Sequence, residues 1–477
     1  MRRDVPNLTV LGILPPGNGP EPPEYAWTIM STPSLTALTP APGQSRGLRS
    51  ITVARSDMDP QSGLLEYVVR NDAHTWIRRG GGLVAYGETA RFTTTGPDRF
   101  TQAQEWWRRE LAGAEVQDDL GVPGSGLIAF GSFAFSKTSS HESRLIVPEV
   151  VIGCSEGRTW LTYITDDAGA ELSAEAAEAA LAAYLVEPDA DRSPDPADHL
   201  GPGVLSEEQY KLAVEEGVKH VQGGGLSKVV LARDVVAHLA SPVATAQVLR
   251  ELAVRYEDCW TYAVDGLIGS TPEMLIKVEH NTAQARVLAG TLDRADAPVD
   301  DPGYPTRVLA GSDKQLHEHQ IAIDSLTETL QPFTSSMTSH SEPFVLQLPN
   351  VWHLASDVTA QLAVDDSGQV PTSLALVQAL HPTAAVCGTP TTVAGALIRE
   401  LEHLQRGPYA GPVGWIDAGG NGEWGIALRG AVVETPTRVR LYAGCGIVEG
   451  SQPDAELAET WSKFRPMIEA LGLTAPS

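Results

Sequence analysis

The segment SKVVLARDVV, residues 227–236, narrows the possible folds of this chain more than any other. A near-continuous run of β-branched and apolar residues reads as a largely buried strand, and such a strand needs cover on both faces. The segments around it supply partners and cover. LIGSTPEMLIKVE and AQARVLAG read as strands, and EWGIALRGAVV and RVRLYAGCGIV as a strand pair. Ser206 and Gln209 form a capping box that opens a helix to about Gln222, where the glycines at 223–225 stop it. Ser241 and Pro242 supply a cap and a first-turn proline for the next helix. Ser312 and Gln315 make a second capping box before a helix running to about Leu330, and PDAELAETWSKFRPMIEAL is a last helix. The expected fold is α+β, with extended mixed sheets flanked by helices.

Residues 1–25 are rich in Pro and Gly and are expected to form a flexible arm. From 26 to 203 a mixed lobe is expected to complete the sheet system, with glycine-punctuated strands in GGGLVAYGETARF and SGLIAFGSFAF and a helix in ELSAEAAEAALAAYLVE. The polar, proline-studded stretch 187–203 is the expected boundary, and residues 204–477 carry the chemistry. With 34 basic and 60 acidic side chains the net charge is −26, a field that repels phosphate backbones and argues against a nucleic-acid partner. An anionic substrate would need a few placed cations or a metal. The four cysteines are scattered without a CxxC pair, which fits a reducing cytoplasm. No signal-peptide core follows MRRDVPNLTV and no apolar run approaches the roughly 20 residues that span a bilayer. A soluble cytoplasmic protein is expected, monomeric because no helix carries a sustained heptad seam.

In the last helix Glu456, Glu459 and Lys463 fall at i, i+3 and i+7 and share one face. Alone they read as a solvated charged face; a carboxylate from another helix, such as Glu318 in HEH, would turn them toward a hard divalent cation. Lys228 sits in the apolar run, where it is either an edge lysine whose stem snorkels or a desolvated general base. Glu273 precedes another apolar run, as a strand-edge glutamate or as a partly buried general acid. Arg429, read inside the strand EWGIALRGAVV, needs an anion, from a structural ion pair or a substrate carboxylate.

Ten segments in order, SKVVLAR, GSTPEML, LAGT, SDKQLHEH, VWHLAS, HPTAAVCGTP, YAGPVGW, GNGEWGIALRGA, LYAGCGIV and ELAETWSK, resemble the chorismate-binding family: isochorismate, salicylate, anthranilate and aminodeoxychorismate synthases. The likeness covers roughly residues 206–475 and implies the anthranilate synthase component I-like fold. Family members that add water place a lysine in the KVVLAR strand, so Lys228 implies water as nucleophile and no glutaminase partner. HPTAAVCGTPT is most similar to the isochorismate synthases.

The resemblance implies a full set of roles. Mg2+ would be held by Glu318 and Glu459, with Glu456 acting directly or through a water, and would grip the ring carboxylate of chorismate. Gly290, Thr291 and Lys463 would seat that end, while Arg429, Tyr442 and Gly444 hold the enolpyruvyl carboxylate. Lys228 would activate water for attack at C2 and Glu273 would protonate the departing C4 hydroxyl. His353 and Ala385 would lie at the pocket without an assigned step. The chain departs from the family pattern at Ala384, Leu457 and Pro408, changes expected to reshape the pocket rim or its closing loop. A salicylate synthase that also eliminates pyruvate, an anthranilate-type subunit, and a silent chorismate-binding paralogue are the rival readings.

Overall fold

The computed structural model describes residues 47–56, 63–186, 188–294, 298, 301–339, 342–349, 351–365 and 368–475. The arm expected at residues 1–25 lies outside them. Among the described residues, thirteen strands join one sheet and ten another. Pairing is antiparallel through the centre of both; one parallel pair, Arg49–Arg55 with Glu115–Gln117, makes the large sheet mixed. Strands from before and after the 187–203 connector interleave in both sheets, and residues His199–Pro202 of that connector are themselves an edge strand beside Lys228–His238.

Among the segments that pass from one sheet to the other, two cross side by side next to the site. Leu267–Thr271 belongs to the large sheet and Met274–Glu279 to the smaller one. Gly422–Ile426 belongs to the smaller sheet and Gly430–Thr435 to the large one. LIGSTPEMLIKVE and EWGIALRGAVV, each expected as one strand, are therefore two strands apiece in different sheets. The first breaks at Pro272, which has no N–H to continue a ladder. The second breaks at residues 427–429, where Arg429 takes a left-handed φ of 48°. The bends are tied to each other: Ser270 N–H donates to the Arg429 carbonyl at 3.2 Å and Ile426 N–H to the Glu273 carbonyl at 3.1 Å. Gly269 pairs with Gly430 across this point, and a Cβ on either would collide with the hydroxyl of Tyr262. That hydroxyl donates to the Leu428 carbonyl at 2.9 Å and so holds the second bend.

Apolar burial secures the crossing. Trp76, Phe130, Tyr262 and Trp424 are fully buried in the larger core. A second core joins the large sheet to the helices Thr245–Arg255 and Pro453–Ala470 through Leu249, Leu252, Phe464 and Met467. The capping box at Ser206 and Gln209 forms in full. Helix Thr245–Arg255 begins later than expected and has no side-chain cap; Ser241 instead accepts a hydrogen bond from Arg192 at 3.1 Å. No helix among the described residues is long and apolar enough to cross a membrane.

A buried ion pair fastens helix Thr391–Glu402 to the strand Lys228–His238. Arg406 donates to Glu402 at 3.0 and 2.5 Å and to the carbonyls of Val386 at 3.0 Å and Val230 at 2.8 Å. Glu402 in turn accepts the Ala232 N–H at 2.7 Å. Removing one partner strands the other charge in the core. Arg406→Ala is expected to lower the unfolding free energy by ~3–5 kcal/mol, and Glu402→Leu with Arg406→Met to regain most of it, as measured by urea unfolding.

Candidate active site

The paired bends form one wall of a cavity of about 170 Å³. Pro272 and Glu273 enter from the first bend, Leu428 and Arg429 from the second. Strand Arg438–Ile447 adds Tyr442, Gly444 and Gly446, and helix Pro453–Ala470 adds Glu456, Glu459 and Lys463. Gly290, His353 and Ala385, also expected from the sequence, line it as well. Thr291 lies in strand Thr282–Asp293 and Glu318 in helix Asp313–Leu330, but the side chains of both fall outside the described part of the structure.

Glu273 is 6% exposed. Burial pushes its carboxyl up to about 7, against the pull of Lys228, Lys463 and Arg429. A carboxyl in that condition holds a proton near neutrality and can donate it. Lys228 opens strand Lys228–His238 and is half-buried. It does not line the cavity itself. Its chain end lies against Gly446, which does: a Cβ at 446 would come within 2.6 Å of Lys228 Cε and 3.1 Å of Nζ. The glycine thus leaves the space the lysine occupies.

Arg429 is 7% exposed, and burial lowers its pKa. Its partner is His353: Nη2 donates to Nε2 at 3.1 Å, while the Nδ1–H of the same ring donates to the Gly290 carbonyl at 3.1 Å. Because guanidinium can only donate, Nε2 must be the acceptor, which fixes the neutral tautomer. Burial and the neighbouring Arg429 and Lys463 depress His353 to about 3. His353, without an assigned step in the sequence, is the bracket that aims Arg429.

At the opposite end, Lys463 bonds the Gly444 carbonyl at 2.7 Å and Glu459 at 2.6 Å. Ligand atoms of Glu456, Glu459 and Cys445 all lie within 4.8 Å of one another. Burial pushes the Cys445 thiol well up, and it donates to the Glu456 carbonyl at 3.4 Å, so it is a neutral wall and not a thiolate ligand. What remains is a pair of half-buried carboxylates one helical turn apart, hard oxygen donors suited to a hard cation.

Three further lining residues had no site role in the sequence reading. Tyr409 stacks on Tyr442 with centroids 5.1 Å apart and an interplanar angle of 10°. Arg406 reaches the cavity from its ion pair with Glu402. Gln315 was expected to close a capping box; Ser312 does accept the Gln315 N–H at 3.4 Å, but the Gln315 side-chain oxygen turns to Gly290 and has no partner among the described residues. Gly290 has φ 75°, and a Cβ there would strike that oxygen.

The sequence profile of the family described as chorismate binding enzyme matches residues 37–472. The chain is 37% identical over 286 residues to the isochorismate synthase DhbC of Bacillus subtilis, covering 58% of this chain and 70% of that protein. It is 31% identical over 451 residues to the salicylate biosynthesis isochorismate synthase of Pseudomonas aeruginosa, covering 90% and 92%. The structure of MenF, the menaquinone-specific isochorismate synthase of Escherichia coli, matches with a TM-score of 0.70 at 27% identity, covering 89% of this chain and 95% of that one.

The bracket between Arg429 and His353 can be read directly. With ¹⁵N-labelled histidine, the His353 ring is expected to show Nδ1–H and a bare Nε2 from about pH 5 to about pH 8, far above its depressed pKa of about 3. Protonation of Nε2 within that window would remove it as the acceptor for Arg429.

Proposed function

Because this chain belongs to the chorismate-binding enzyme family, we propose that it is an isochorismate synthase, converting chorismate to isochorismate by adding water at C2 with loss of the C4 hydroxyl. The observation that carries the reading is the pairing of a buried, proton-holding Glu273 with Lys228 behind Gly446, across a cavity that also presents Arg429. Lys228 takes a proton from water as the C2–O bond forms. The ring double bonds shift, the C4–O bond breaks, and Glu273 supplies the proton with which that hydroxyl leaves as water. Each such transfer contributes typically ~10²–10⁴-fold.

Arg429, aimed by His353, and the backbone around Gly444, with Tyr442 beside it, hold the enolpyruvyl carboxylate. Gly290, Thr291 and Lys463 seat the ring carboxylate. Magnesium belongs to the same proposal: Glu456 and Glu459, with Glu318 as the third carboxylate, would hold it, and when bound it would neutralise a substrate carboxylate inside a chain of net charge −26. The enzyme acts in the cytoplasm as a monomer without a glutaminase.

A time course with purified protein, chorismate and magnesium, resolved by chromatography against an EDTA control, tests this. Isochorismate should accumulate without pyruvate, and chelation should stop it. Salicylate with equal pyruvate would move the chain to the eliminating branch, and turnover unchanged by EDTA would remove the metal from the proposal. Lys228→Ala should lower kcat by at least ~10²-fold while chorismate still binds; a wild-type rate would discard the lysine as base. The acid gives a pH signature. Glu273 works protonated, so kcat/KM should fall as pH rises through about 7, and Glu273→Gln should abolish turnover and with it that limb. An active Gln variant with the same limb would assign the limb to another group.

A further inference from the structure

Four arginines are buried among the described residues: Arg99, Arg233, Arg406 and Arg429. Two are matched by carboxylates, Arg406 by Glu402 at 2.5 Å and Arg233 by Glu207 at 3.7 Å. Arg429 has no carboxylate partner among the described residues and faces the cavity where a substrate carboxylate would supply one. Arg99 is in the same condition somewhere else. At 4% exposure its guanidinium lies over the Phe100 ring, 4.5 Å from the centroid, and its hydrogen bonds go to backbone carbonyls, those of Ala134 at 3.2 Å, Gly96 at 3.4 Å and Phe135 at 3.5 Å. Burial pulls its pKa down to about 10, with no neighbouring acid to hold it up. A buried charge without a counter-charge is costly to keep, and an anion is its natural complement.

Arg99 lines a groove of about 750 Å³ that shares Arg406 with the catalytic cavity. Lys137, Arg399 and Arg406 also line it, and no Asp or Glu does, in a chain with 60 acidic and 34 basic side chains. Lys137 and Arg399 are exposed and have no ion-pair partner among the described residues. Two further features describe the rest of a ligand. Phe100, Phe135 and Pro382 give the wall a flat apolar surface. His381, 7% exposed, donates through Nε2–H to the Ala410 carbonyl at 3.0 Å, which leaves Nδ1 as an acceptor with no partner.

We propose that this groove is a second binding site, separate from the catalytic cavity, for a small hydroxylated ring carboxylate: the carboxylate meets Arg99 with Lys137 and Arg399 at the mouth, the ring lies on Phe135 and Pro382, and a hydroxyl donates to His381 Nδ1. Because Arg406 lines both spaces, the ligand would rest against the same guanidinium that bounds the catalytic cavity.

The test is calorimetric titration of the full chain with 3-hydroxybenzoate, using 3-hydroxybenzamide as the uncharged control. Arg99 is buried and its variants could fail to fold, so the groove is altered at its mouth with Lys137→Glu and Arg399→Glu together. The Arg429→Ala variant removes the cation that faces the enolpyruvyl carboxylate in the catalytic cavity. Saturable one-to-one binding is expected, retained in Arg429→Ala, weakened at least ten-fold by the double reversal, and at least ten-fold weaker for the amide. Absence of saturable binding would overturn the site, as would binding lost in Arg429→Ala yet untouched by the double reversal, or equal binding of the amide. The measurement needs no turnover, so it stands apart from the outcome of the chorismate assay.

Discussion

Everything in the catalytic cavity depends on two strands leaving one sheet and entering another at the same place. A strand that changes sheets gives up ladder partners for a few residues, and here each bend recovers them from the other: Ser270 from the Arg429 carbonyl, Ile426 from the Glu273 carbonyl. The acid and the arginine are thus positioned by backbone pairing and not by flexible loops. The same bends explain why both are buried. Side chains at such a crossing face the space between two sheets, where water is excluded, and the raised Glu273 and lowered Arg429 pKa values follow from that position.

The helices, the capping box at Ser206 and the buried strand at 228–238 were legible because each has a local signal: a cap residue, a glycine stop, a run of β-branched residues. The crossing was not. Ala427 and Leu428 carry no turn residue, and Arg429 is an unusual choice for a left-handed conformation, so EWGIALRGAVV looks like one unbroken strand. Pro272 did mark the other bend, but a proline tells where a ladder stops and not where the chain goes next. For the site, residue types and order pointed to Glu273, Arg429, Glu456, Glu459 and Lys463, and the structure gathers them in one cavity. Contacts that depend on three-dimensional packing, such as the His353 bracket, the Tyr409 stack and the turned-away Gln315, have no signature along the chain.

Charge is handled locally throughout. A net charge of −26 would repel a dicarboxylate at long range, yet the cavity presents Arg429 and Lys463 in the same lining as the carboxylates of the last helix. Short-range contacts in a dry cavity outweigh a solvent-screened surface field, since exposed charges beyond about 8 Å are largely screened at physiological salt. Arg99 and Arg429 show the same economy of design: positive charge is buried without an internal acid only where a cavity opens beside it.

The crossing also bears on how the chain reaches its native state. Val229 pairs with Ile447, Gly269 with Gly430 and Met274 with Gly425, so strands from distant parts of the chain must meet to form the walls of the cavity. Such closures are slow, and none rewards the chain until its partner has arrived. A chain that has not yet reached residue 438 has neither strand Arg438–Ile447 nor helix Pro453–Ala470 to close the cavity. Until that strand is made, the large sheet keeps a buried-type strand, Lys228–His238, without its main neighbour, and an unpaired edge of that kind can pair with another chain.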